Sequence, residues 1–159
     1  MSRLQVLGHQ LRHLVRRFAG SLSSQPPDPA EEAWAESCLL PSEADLWSTM
    51  SNQDRRHAIT VARRFEAIRN GAATRAEMAG ALLHDVGKVE AGLGTFGRVV
   101  ATLTPPSWRR GRFDRYQRHE AIGADWCRQA GSDPVTVALV AGEGGEPDAR
   151  EALRAADDI

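Results

Sequence analysis

Apolar side chains recur at intervals of three and four along this chain, and no stretch shows the strict alternation of a half-buried strand. That spacing restricts the fold to packed helices. In the segment 52–69, Val61, Phe65 and Ile68 form one stripe, and His57 extends it backwards by four residues. In 75–85, Met78, Ala81, Leu82 and Asp85 share a face. In 115–130 the shared side carries Tyr116, His119, Gly123 and Trp126, and in 148–158 it carries Leu153 and Asp157. Each stripe that should be greasy thus holds a group that binds metals. A buried unpaired carboxylate is costly, and so is a set of imidazoles with nothing to bind. A divalent cation is the simplest compensation for all of them together.

The helix ends are legible. Asn70-Gly71 stops the helix of 52–69, and Thr74 with Glu77 has the spacing of a capping box for the next. Ser132-Asp133-Pro134 restarts a helix over 134–142, and Ser42-Glu43 starts one after the break at Pro41. Residues 1–20 hold Arg3, Arg12, Arg16 and Arg17, no acid, and Leu4, Leu7, Leu11, Leu14 and Phe18 at helical spacing. They read as a basic amphipathic helix that either docks on the domain or makes a weak contact with an anionic membrane surface or nucleic acid. Residues 21–30, rich in serine and proline, read as a linker, and 31–159 as one domain. The architecture expected is all-α.

Composition narrows the setting. A net charge of −1 excludes nucleic-acid binding by bulk electrostatics. Cys38 and Cys127 stand far apart without metal-type spacing, which argues against a disulfide framework and for a reducing, cytoplasmic environment. No long apolar run suggests a membrane span.

His57, the pair His84-Asp85 and Asp157 occur in an order that resembles the HD-domain superfamily of metal-dependent phosphohydrolases. The surrounding words resemble it too: Arg56-His57-Ala58, then Leu82-Leu83-His84-Asp85-Val86-Gly87-Lys88, and Leu153-Arg154-Ala155-Ala156-Asp157. The likeness spans 45–159. It implies an all-α bundle whose helices hold an ion through His57, His84, Asp85 and Asp157, with Asp158 the neighbouring alternative to Asp157. It implies one or two divalent transition ions (Mn, Fe, Co, Ni or Zn) and hydrolysis of a phosphate-containing small molecule such as a nucleotide. His119, in Arg118-His119-Glu120, fits a second-ion ligand of the two-metal branches. Glu143 stands where those branches carry a further histidine, as a substitute or as a missing ligand. The GYP motif of cyclic-dinucleotide phosphodiesterases is absent. By the same likeness Asp85 bridges metals or orients water, and Lys88 takes a phosphate oxygen.

A basic run adds to this reading. Arg98, Arg109, Arg110, Arg112, Arg115 and Arg118 lie between two ligand-bearing helices, against the single acid Asp114. Arginine forks match phosphate oxygens in pairs, so Arg109, Arg110, Arg112 and Arg115 are candidate substrate contacts, although a solvated loop has the same composition. The run Gly92–Gly97 spells GxGxxG, but no strand precedes it, so the dinucleotide mechanism lacks its context. The expectation is a metal-dependent phosphohydrolase. The alternative is a regulatory or binding module that keeps the metal without turnover.

Overall fold

The computed structural model describes residues 24–91, 118–143 and 147–158. All regular structure among them is helical, as the apolar spacing requires. The elements are α1 (Pro29–Ser37), α2 (Pro41–Thr49), α3 (Asn52–Ile68), α4 (Arg75–Leu83), the single turn α5 (Lys88–Ala91), α6 (His119–Gln129), α7 (Pro134–Val140) and α8 (Pro147–Asp157). None of these helices is long and apolar enough to cross a membrane. The expected helix over 1–20 lies outside the described residues.

Helix α4 is the centre of the packing. It lies against both α3 and α7, while α8 packs on α3 and α6 on α7. Every residue of α4 from Glu77 to Leu83 is buried. Gly80 lets α7 come close, because a Cβ there would sit 2.9 Å from Leu139 Cβ. Phe65, Val61, Leu82, Leu83, Val86 and Val140 fill the space between these helices.

Local chemistry fixes the ends. Ser51 Oγ accepts the Asp54 N–H at 3.1 Å and caps α3. Asn70 and Gly71, with φ of 51° and 73°, turn the chain out of α3 in the left-handed region. Thr74 and Glu77 form the capping box of α4, with the Glu77 carboxylate accepting the Thr74 N–H at 2.7 Å. Asp133 accepts the Val135 N–H at 2.8 Å at the start of α7.

Several boundaries differ from the sequence reading; the helix expected over 134–142, for one, ends at Val140. Helix α1 begins at Pro29, inside the expected linker, because Asp28 Oδ1 accepts the Ala30 N–H at 2.9 Å and proline suits the first helical position. The residues just before it are docked: Pro27 is buried, and Asn52 Nδ2 donates to the Ser24 carbonyl at 2.9 Å. Helix α4 stops at Leu83, two residues early, and His84 is its C-cap. The chain then turns tightly, with Val86 N–H on the Leu83 carbonyl at 2.9 Å and Lys88 N–H on the Asp85 carbonyl at 3.0 Å. Asp85 therefore belongs to a turn, not to the face of a helix.

Candidate metal centre

Three elements bring ligand-type side chains together. His57 comes from the second turn of α3, His84 and Asp85 from the turn that ends α4, and Asp157 from the last residue of α8. One nitrogen each from His57 and His84 and one oxygen from Asp157 lie within 4.8 Å of one another. His57 Nε2 is 2.9 Å from Asp157 Oδ1, and His84 Nε2 is 3.8 Å from the same oxygen. Asp85 Oδ2 closes the set, 3.6 Å from His84 Nε2 and 4.0 Å from His57 Nε2. Nitrogen and oxygen ligands bind a transition ion at about 2.0–2.2 Å, which sets neighbouring ligand atoms about 3.0–3.5 Å apart. The separations found here bracket that spacing.

His84 supplies the sharpest test of fit. Its Nδ1 lies 2.8 Å from the Ala81 carbonyl oxygen. A carbonyl only accepts, so Nδ1 carries the proton and donates it. In the neutral ring Nε2 is then a bare lone pair. That nitrogen is buried and has no hydrogen-bond partner. Its near neighbours are oxygens of Asp85 and Asp157. A lone pair facing two carboxylates is repulsive unless positive charge, a proton on that nitrogen or a metal ion in its place, stands between them. A carbonyl fixing one imidazole nitrogen so that the other can ligate is the usual arrangement behind a metal-bound histidine.

The charges agree with this reading. Burial opposes ionisation of Asp85, yet positive charge at His84, the Lys88 ammonium and the bond to His119 outweigh it and hold this carboxyl well below the usual range. Asp157 is lowered chiefly by its hydrogen bond to His57, against a smaller opposing effect of burial. Both side chains are therefore anionic at neutral pH, as ligands must be.

Asp85 also has partners outside the triad. Its Oδ2 pairs with Lys88 Nζ, and its Oδ1 lies 3.3 Å from His119 Nε2. This carboxylate is only 4% exposed, so it joins the converging ligands to the first turn of α6 from inside the protein. Glu143 stays exposed in the turn after α7 and is not in the converging group. The carboxylate beside that turn is Glu120's, whose Oε2 would be 3.1 Å from a Cβ built on Gly142. Asp158 is exposed, and its N–H donates to the Arg154 carbonyl at 3.0 Å. Arg109, Arg110, Arg112 and Arg115 lie outside the described residues.

Sequence reasoning missed three supports of the site. The Ala81 carbonyl orients His84. Arg64 Nη1 donates to the Ala156 carbonyl at 3.4 Å, next to Asp157. Gly87 and Gly123 bring two backbones into contact. Only the last left a trace in the chain, as a glycine two residues after Asp85 and a second on the His119 side of its helix. The cysteines offer no competing nucleophile. Burial raises the Cys38 thiol and pushes the Cys127 thiol up to about 11, so both stay protonated at neutral pH.

No protein-family model, no curated protein and no solved structure matches this chain.

Proposed function

We propose that this chain is a metal-dependent phosphohydrolase of the HD-domain type, acting on a nucleotide or a related phosphate ester or anhydride. The observation that carries the reading is the buried Nε2 of His84, which has no hydrogen-bond partner and faces the carboxylates of Asp85 and Asp157. Together with His57, these residues follow the order in which HD-domain proteins present their ligands.

His57, His84, Asp85 and Asp157 would hold a divalent transition ion, and such an ion supplies Lewis acidity that activates water near neutral pH and polarises a phosphoryl oxygen. Asp85 keeps its negative charge against burial through His84, Lys88 and His119. Lys88 holds an ammonium beside the ligand cluster, where it suits a non-bridging phosphate oxygen as a point charge. His119 presents Nε2 on the far side of Asp85, within reach of a group seated against that carboxylate. The arginines Arg109, Arg110, Arg112 and Arg115 precede α6 in sequence and supply phosphate contacts in this reading.

A screen of nucleotides, dinucleotides and phosphate esters with Mn, Fe, Co and Ni tests the proposal. Turnover that depends on added metal and disappears in Asp85→Ala is the expected result. Stoichiometric bound metal with no turnover on any substrate would instead assign a regulatory or binding module built on the same centre.

A further inference from the structure

We infer that Gly87 is a positioning residue: its missing Cβ lets the turn after Asp85 lie against the first turn of α6, and this backbone contact with Gly123 sets His119 against Asp85. The inference rests on the proposed function only in treating Asp85 and His119 as parts of one centre.

The geometry leaves no room for any other residue. A Cβ on Gly87 would sit 1.9 Å from the His119 carbonyl oxygen and 2.7 Å from both the His119 carbonyl carbon and Gly123 N. It would wedge between Gly123 N–H and that carbonyl, the i to i−4 pair that follows the first hydrogen bond of α6, Ile122 N–H to the Arg118 carbonyl. Backbone cannot swing aside as a flexible side chain can, so the two segments would have to separate. Gly123 completes the contact from the other side. A Cβ there would lie 3.1 Å from Gly87 N, Val86 Cγ1 and Val140 Cγ1. Gly87 has no left-handed backbone to accommodate, since the positive-φ glycines among the described residues are Gly71, Gly131 and Gly142. The demand at Gly87 is for space alone.

What this contact sets is specific. Asp85 lies two residues before Gly87 and Lys88 one residue after it, while His119 is the residue whose carbonyl Gly87 touches. The spacing of His119 Nε2 from Asp85 Oδ1, 3.3 Å, therefore depends on how closely the two backbones approach. The other ligands, His57 and Asp157, sit on α3 and α8 and do not depend on it.

Three variants of the full chain separate positioning from plain destabilisation: Gly87→Ala, Gly123→Ala and Gly80→Ala. Gly80→Ala is the control, because its Cβ would meet Leu139 Cβ at 2.9 Å in the α4–α7 packing and not α6's first turn. The first readout is the imidazole nitrogen NMR spectrum of metal-free protein, with the His119 signals assigned by His119→Asn. In Gly87→Ala the His119 signals should move towards those of a free imidazole, while those of His57 and His84 hold. In Gly80→Ala stability should fall with the His119 signals in place. The second readout is Co(II) affinity. Losing a residue that supports a ligand from behind weakens metal binding about 10–100-fold, so His119→Ala should do so in the wild-type chain and add nothing in Gly87→Ala.

Unmoved His119 signals in folded Gly87→Ala would overturn the inference, as would fully additive losses in the double variant. If Gly87→Ala fails to fold, Gly123→Ala decides: a smaller shift of the same signals supports the inference, and none overturns it. A wild-type chain that binds no cobalt would overturn the proposed centre alone, because the NMR comparison still judges Gly87.

Discussion

Saturating cobalt should raise the melting temperature of this protein by about 5–10 °C. His57, His84, Asp85 and Asp157 already stand at near-coordinating separations of 2.9–4.0 Å in the folded chain and come from three distant stretches of sequence. The unfolded chain cannot reproduce that cluster, so the ion binds the folded state preferentially. A ligand present at a hundred times its dissociation constant then stabilises by about 2.7 kcal/mol. For a chain of 159 residues, each kcal/mol moves the melting temperature by about 2–4 °C. His84→Ala is the decisive variant. Metal-free, it loses one hydrogen bond to the Ala81 carbonyl but also the lone pair that faces two carboxylates. Its metal-free melting temperature should therefore move by only about 2–4 °C. Its response to cobalt should fall to a small fraction of the wild-type response. Thermal scans by circular dichroism, with and without cobalt and with a chelator, measure both. A cobalt response of equal size in wild type and His84→Ala would refute the reasoning.

Further outcomes follow from the same geometry. Asp85 and Asp157 have depressed folded-state pKa values, so their stabilising contributions are complete above the ordinary carboxylate value of about 4 and are lost as pH falls through the folded values. The metal-free protein should therefore lose melting temperature steadily below about pH 4, and a slope unchanged in Asp85→Asn would contradict this. Phe65 is fully buried on α3, so Phe65→Ala should cost about 3–5 kcal/mol in urea unfolding, and a loss under 1 kcal/mol would show that the α3 packing is misjudged. Lys88→Met should raise KM for a phosphate substrate more than it lowers kcat, because its ammonium adjoins the ligands without being one. A selective fall in kcat would instead give Lys88 a role in the chemical step.

How much of this was legible depended on whether a signal was local. Helix α3 announced itself, because Val61 and Phe65 need one buried face and His57 falls on it. The caps at Thr74, Asn70-Gly71 and Asp133 depend on neighbours a few residues away, and each stands where the sequence put it. Helix α1 starts inside the expected linker because the Asp28-Pro29 signal, which by itself caps a helix, prevails locally over serine and proline density. The spacing of Asp85 from Met78, Ala81 and Leu82 fits a helical face, yet the helix ends before it. The turn after Leu83 lies against α6, a tertiary contact whose one trace in the sequence is the glycine pair Gly87 and Gly123. The orientation of His84 by Ala81 was equally hidden, since a backbone carbonyl carries no residue signature. The convergence of His57, His84 and Asp157 was read from ligand type on apolar stripes and from family order. Their mutual distances needed coordinates.

Anomalous diffraction at the cobalt edge, on crystals of the cobalt-loaded protein, tests the centre most directly. The account predicts a peak within about 2.0–2.2 Å of His57 Nε2, His84 Nε2 and oxygens of Asp85 and Asp157. A peak elsewhere, or none between these side chains in a protein shown to carry cobalt, would contradict it.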